Sequence, residues 1–112
     1  ASLTALEELD LSFNSITNYI PAEMGNLIQL SYLNLRNNIL SFDIPSSIGL
    51  ITSLKALHLS FNLFTAYIPD EIGALTDLTY ISLSNNLLTY NIPDAMEDLT
   101  SLRVMDLSKN CL

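Results

Sequence analysis

The chain has 112 residues, of which 49% are hydrophobic, and its 12 acidic and 4 basic side chains give a net charge of −8. This length predicts a single domain. The negative electrostatic field of such a chain repels anionic lipid head groups and the phosphate backbones of nucleic acids, so nucleic-acid binding is disfavoured. No apolar run approaches the roughly 20 residues that a membrane-spanning helix requires, so no span is expected within this segment.

A hydrophobic pattern recurs every 24 residues along the chain. Its first position is occupied by Leu3, Leu27, Ile51, Leu75 and Leu99. The repeats cover residues 1–26, 27–50, 51–74 and 75–98, with a partial repeat over 99–112. The spacing L-x-x-L-x-L-x-x-N-x-L within each repeat predicts a solenoid, because one coil cannot bury its leucines without a neighbouring coil on each side.

The first element of each repeat is predicted to be a short strand. Leu9 and Leu11 alternate with Asp10, so the leucines point into the solenoid and the aspartate points out. An asparagine follows each strand, where its amide can bond backbone groups of its own turn and the next coil. This column, meaning the equivalent position in successive coils, contains Asn14, Asn38, Asn62, Asn86 and Asn110. A hydroxyl column of Thr17, Ser41, Thr65 and Thr89 is interpreted as internal and structural.

The second half of each repeat is predicted to form a helical turn. An Ile-Pro pair precedes a short polar stretch in every complete repeat, at Pro21, Pro45, Pro69 and Pro93. Proline keeps its predecessor extended and suits the first turn of a helix, where nearby acids such as Glu23 and Asp70 are favoured.

The string LxxLxxLxLSxNxLTxxIPxxIGxLT resembles the plant-type leucine-rich repeat of receptor-kinase ectodomains and polygalacturonase inhibitors. The resemblance covers the whole chain. It implies a right-handed α/β solenoid with a parallel sheet on the concave face, short helical turns on the convex face, and a second small sheet at the Ile-Pro segment. It also implies recognition of proteins, peptides or small ligands without catalysis or a cofactor, and it favours an extracellular or secretory location.

The chain departs from that family where glycine is usual, two positions before each Ile-Pro isoleucine. Asn18, Phe42, Ala66 and Tyr90 occupy this column, which makes the course of the second sheet uncertain. Each coil also has one aromatic residue at this position or the next, and together they form a lateral aromatic stripe of Tyr19, Phe42, Tyr67 and Tyr90. Two interpretations are open. The rings cover the Ile-Pro edge, or they form a docking surface.

The leading hypothesis is a protein or peptide site on the concave strand face. The segments 7–13, 31–37, 55–61, 79–85 and 103–109 contain all 4 basic residues and four of the 12 acids, so this face is neutral and the other surfaces carry the net charge. Tyrosine and arginine dominate interface energetics. The candidate binding residues are Phe13, Tyr32, Asn34, Arg36, His58, Phe61 and Tyr80.

Two further function classes are weighed against that hypothesis. The first is a structural subunit that docks into a larger assembly through the lateral aromatic stripe or the open solenoid ends, and the second is ice binding. Catalysis is not expected, because Asp10 and Asp106 lie two coils from His58, roughly 9–10 Å away. No metal-ligand cluster is expected either.

The chain boundaries and cysteine content leave the compartment open. Ala1 already lies inside a repeat and Leu112 ends within a coil, so we expect a fragment of a longer protein that lacks both caps. Cys111 has no partner in this sequence, and no Asn-x-Ser/Thr sequon occurs. An organelle or an intracellular location therefore stays open beside the secretory one.

Overall fold

Each coil contributes one short strand to a parallel sheet. The computed structural model describes residues 3–112, so the expectation for Ala1 falls outside the described residues. The strands are Glu8–Asp10, Tyr32–Asn34, Ala56–His58, Tyr80–Ser82 and Val104–Asp106. Equivalent residues of successive coils pair in register, as Leu33 does with Leu57 and Leu57 with Ile81. The predicted solenoid and its concave sheet are confirmed.

The opposite side of each coil is a five-residue 3₁₀ helix that begins directly after the proline. These helices are Ala22–Asn26, Ser46–Leu50, Asp70–Ala74 and Asp94–Asp98. Each preceding proline is extended, with φ between −66° and −69°. Proline therefore sets the entry into the helix as the sequence predicts.

The glycine column allows these helices to pack closely. A Cβ on Gly25 would lie 2.6 Å from the carbonyl oxygen of Ser47 in the next coil, and one on Gly73 would lie 2.5 Å from that of Ala95. Glu97 occupies the glycine position of the fourth coil. In the described chain no further helix follows this one to pack against that position.

The hydrophobic core lies between the sheet and the helices and is deepest in the middle coils. Leu33, Leu57 and Ile81 are fully buried on successive strands, whereas Met105 of the last strand is 46% exposed. Burial of each such side chain contributes roughly 1.5–3 kcal/mol. The core therefore depends on neighbouring coils, as expected for a linear stack.

The asparagine column ties each coil to the one before it. Asn62 Nδ2 donates to the carbonyl oxygens of Leu35 at 2.9 Å and Leu59 at 3.2 Å, and its Oδ1 accepts from the Leu40 N–H at 3.0 Å. Asn86 repeats this arrangement one coil later. The structural role is confirmed. The bonds between coils, however, run to the preceding coil and not to the next one, because the side-chain amide points toward the turn of the preceding coil.

A second parallel sheet forms although the usual glycine is missing. Its strands are Thr17–Asn18, Ile39–Phe42 and Leu63–Phe64. The glycine-column residues adopt the left-handed conformation themselves, with φ of 77° at Asn18, 66° at Phe42, 64° at Ala66 and 69° at Tyr90.

The hydroxyl column, interpreted from the sequence as internal and structural, is only partly so. The Ser41 and Thr89 side chains are half-buried, and their hydroxyls donate to the Asn18 and Ala66 carbonyl oxygens of the preceding coil. Thr17 and Thr65, by contrast, are exposed. Their neighbours in sequence, Ile16 and Phe64, pack in the core instead, because side chains alternate across a strand.

Replacing Ala66 by glycine is expected to stabilise the protein by about 1 kcal/mol, because a left-handed residue with a Cβ costs roughly 1–2 kcal/mol. The measurement is the urea midpoint at constant m-value. Ala74→Gly is the control, since Ala74 lies in a 3₁₀ helix and outside the positive-φ set. That variant should lose stability, and a loss for Ala66→Gly as well would contradict the strain argument.

Candidate functional site

Three of the predicted residues form an aromatic ladder on the concave sheet. The His58 ring stacks on Tyr80 with centroids 4.4 Å apart and an interplanar angle of 27°. On its other side, the Tyr32 centroid lies 5.3 Å away at 52°. Ala56 pairs in register with both Tyr32 and Tyr80. The small alanine side chain leaves room for His58, the next outward residue of the same strand, to fill the space between the two tyrosines.

Arg36 lies between two aromatic rings of the neighbouring coils. Its Cζ is 5.6 Å from the Phe13 centroid and 5.4 Å from the Phe61 centroid, both within cation–π range. Its Nε donates to Asn37 Oδ1 at 2.9 Å. Phe13 and Phe61 have φ of 55° and 56°, so the turn after each strand projects the ring toward the guanidinium. The exposed Arg36 head group is held in place from two sides.

Asn34 connects the ladder to its acidic flank. Its Nδ2 donates to Asp10 Oδ2 at 3.3 Å and to Tyr32 Oη at 3.2 Å, and its Oδ1 accepts from the Arg36 N–H at 3.1 Å. The structure therefore brings Asn34 into the same cluster as Tyr32, Arg36 and His58. Ser60, Ser82 and Ser84, whose positions alternate with the inward leucines, are nevertheless buried.

The sole imidazole of the chain has an altered acidity. Burial lowers the pKa of His58 below its ordinary 6.5, the positive charge of Arg36 lowers it further, and the Asp10 charge raises it. Hydrogen bonds from the Ser12 hydroxyl and N–H lower the pKa of Asp10 below 3.8. Ser108 does the same for Asp106. His58 is therefore neutral near pH 7, where both aspartates are charged.

Lowering the pH is expected to destabilise the protein through His58. Because the folded-state pKa lies below that of the unfolded chain, the unfolded state binds more protons, and stability decreases as the pH falls through 6.5 toward the folded-state pKa. Thermal melts across this range measure the effect. His58→Gln should remove it, and an NMR titration that gives the imidazole a pKa above 6.5 would contradict the prediction.

The lateral aromatic stripe lies in or beside the strands of the second sheet in the first three coils and in the equivalent segment of the fourth. Tyr19, Phe42, Tyr67 and Tyr90 are all more than half exposed. Tyr19 and Phe42 contact each other edge to face, with centroids 6.3 Å apart at 76°. The rings therefore leave most of their surface open to solvent rather than covering the Ile-Pro edge completely.

A shallow depression beside the concave strands was missed by the sequence analysis. It is lined by Lys55, Asp77, Thr79, Thr100, Ser101, Leu102 and Arg103. Lys55 and Arg103 occupy equivalent positions two coils apart. Their separation of two 24-residue repeats is the signal that could have placed them in one column, with Thr79 of the intervening coil between them.

Other features of the described chain concern metals, membranes and thiols. Within residues 3–112 no three His, Cys, Asp or Glu side chains are grouped as metal ligands. No helix of this region is long and apolar enough to cross a bilayer. Cys111 carries an exposed free thiol.

Comparison with known proteins places this geometry in a family. The family model described as "Leucine-rich repeat region" matches residues 1–111. Receptor-like protein kinase 7 of Arabidopsis thaliana is 42% identical over 43 residues, which cover 38% of this chain and 4% of the kinase. The chain therefore spans a small part of that relative.

Solved structures agree in sequence and in shape. The ectodomain of the Arabidopsis receptor kinase HAESA, solved with a peptide hormone ligand, is 41% identical with a TM-score of 0.89, over 91% of this chain and 17% of that one. The plant peptide hormone receptor RGFR1, solved in complex with RGF2, is 38% identical with a TM-score of 0.88, over 91% and 16%. The repeat pattern, the two parallel sheets and these matches together show that the chain belongs to the leucine-rich-repeat family, in its plant-type class.

Proposed function

We propose that the concave surface binds a protein or peptide partner. The observation that supports this most directly is the aromatic ladder of Tyr32, His58 and Tyr80, which stands beside the Arg36 head group. Tyrosine and arginine are enriched among the residues that contribute most to binding energy. The same surface presents both types within three adjacent coils.

The second argument is preorganisation. The ladder residues are half-buried on a hydrogen-bonded sheet. Asn34 fixes Tyr32 and the Arg36 backbone through one hydrogen bond each, and a third bond joins it to Asp10. Side chains that are already ordered lose little conformational entropy on binding, where each mobile one would cost roughly 0.5–1.5 kcal/mol. The surface can therefore bind a flexible peptide without first rearranging its own side chains.

The charge pattern describes the partner further. Arg36 offers a cation near the centre of the surface, while Asp10 and Asp106 remain ionised on the flanking coils. An extended segment lying across the coils would meet aromatic contacts in the middle and an acid on either side. Basic side chains in the partner would favour binding at those flanks.

The relatives support a peptide as the ligand class. The HAESA and RGFR1 structures are complexes with peptide hormones, and both belong to plant receptors. By similarity we extend peptide recognition and an extracellular or secretory location to this chain. This function involves neither catalysis nor a cofactor.

The test is selection of peptides from a random display library on the immobilised chain, followed by calorimetry of the selected peptides. We expect saturable binding in the micromolar range or tighter that is lost in His58→Ala. The double variant Ile28→Thr, Leu50→Thr removes exposed apolar side chains outside the concave surface and serves as the control. Failure to select any peptide, or peptides that bind the His58→Ala variant equally well, would contradict the proposal.

A further inference from the structure

We infer that a second surface, the lateral band, joins two copies of this chain in a symmetric dimer. The lateral band consists of the lateral aromatic stripe and a parallel aliphatic column, and its members are Tyr19, Ile39, Phe42, Leu63, Tyr67, Leu87 and Tyr90. Its residues lie in or beside the strands of the second sheet and in the equivalent segment of the fourth coil, whereas the aromatic ladder lies on the strands of the concave sheet. The inference is therefore independent of the concave binding site.

The first argument is the extent of exposed apolar surface. The seven side chains are between 44% and 72% exposed. Together they expose on the order of 800 Å², given that an aromatic side chain carries roughly 150–250 Å². The largest apolar patch of a monomeric protein is about 300–600 Å². A stable interface takes about 800 Å² from each partner, so the lateral band is of the right size.

The second argument is electrostatic: this is the side through which a second copy of an acidic chain can approach. The segments 15–20, 39–44, 63–68 and 87–92, which form this side of the solenoid, contain a single charged residue, Asp43. The rest of the chain carries a net charge of −7, so two copies repel each other on most approaches. Contact through the lateral band keeps the acidic convex surfaces apart while burying the uncharged side.

The third argument is self-complementarity. In each of coils two to four the aliphatic residue and the aromatic residue lie on opposite sides of the hydroxyl column, as Leu63 and Tyr67 do around Thr65. A two-fold axis parallel to the solenoid axis exchanges these two sides at the same coil level. It places Phe42 of one copy against Ile39 of the other, and Tyr67 against Leu63. Each aromatic ring is then packed on an aliphatic side chain, which closes the assembly as a dimer.

Sedimentation equilibrium over a broad concentration range tests this inference. We expect the mass to rise with concentration from 12.4 kDa to twice that value and no further. The double variant Leu63→Thr, Tyr67→Thr removes two reciprocal contacts, so it should weaken dimerisation roughly 30-fold or more, as for an interface hot spot. Both residues are exposed, and a circular dichroism melt of the same samples verifies that the variant is folded.

Two controls distinguish the lateral band from other contacts. The Ile28→Thr, Leu50→Thr variant loses comparable exposed apolar surface elsewhere and should dimerise normally, as should the concave variant Tyr32→Ala, Tyr80→Ala. Thr17→Cys in a Cys111→Ser background should form a disulfide between copies, because the two-fold axis brings the first-coil hydroxyl positions together. A monomer at all concentrations, growth beyond a dimer, or dimerisation that survives the Leu63→Thr, Tyr67→Thr change would overturn the inference.

Discussion

Replacing Asn62 by alanine is expected to lower the free energy of unfolding by about 2–4 kcal/mol. The Leu40 N–H would lose its acceptor in a buried site, and the carbonyls of Leu35 and Leu59 would each lose one of two side-chain donors. An orphaned buried N–H costs more than a lost hydrogen bond because water cannot reach it. For a small domain this is a large fraction of the total stability.

Urea denaturation followed by circular dichroism measures this loss, and Asn14→Ala is the matched control. Asn14 occupies the same column, but it is exposed and its amide bonds only Leu11 and Ser12 of its own turn. Its replacement should cost less than about 1 kcal/mol, since water replaces the lost partners. Equal losses in the two variants would show that the inter-coil bonds do not carry the effect.

Removing both outer rings of the aromatic ladder, through Tyr32→Ala and Tyr80→Ala, is expected to weaken partner binding by about 100-fold or more. Truncation removes the two rings that stack on His58 and most of the rigid contact area. Because both tyrosines are only half-buried, the melting temperature should change little. Calorimetry with a selected peptide and a thermal melt of the same preparation measure the two quantities.

The conservative variant Tyr32→Phe, Tyr80→Phe separates ring contact from hydroxyl chemistry. It keeps both faces of the ladder and loses only the hydroxyls, one of which accepts a hydrogen bond from Asn34. Affinity should therefore remain within about tenfold of the parent protein. Unchanged affinity in the double alanine variant would exclude the ladder as the binding site.

The main architecture can be predicted from the repeat because the residue type in each column has a physical explanation. Alternation around Leu9 and Leu11 predicts the strand, and the prolines predict the start of each 3₁₀ helix. An asparagine after each strand predicts side-chain hydrogen bonds to the backbone of the turn, which Asn62 makes. The second sheet was harder to predict. Propensity disfavours a left-handed Phe42 or Tyr90, and the surrounding coils impose that conformation on them.

The candidate binding residues can be named one by one from the sequence, but their mutual contacts cannot. Tyr32 pairs with Ala56 and not with His58, so the stacking of the two rings depends on side-chain rotamers and on the small Ala56 between the tyrosines. The position of Arg36 between Phe13 and Phe61 depends in the same way on a turn conformation that no single coil specifies. These contacts form between side chains of neighbouring coils, so the sequence of a single repeat does not reveal them.

The in-register pairing of the strands sets what changes in chain length the molecule can accept. Adding one residue within a strand would turn every following side chain of that strand to the opposite face and expose its leucines. Duplicating a whole unit of 24 residues would add another coil with its asparagine bonds and core contacts already matched. A protein built this way can enlarge its binding surface by duplicating whole repeats, whereas an insertion much shorter than one repeat disrupts its fold.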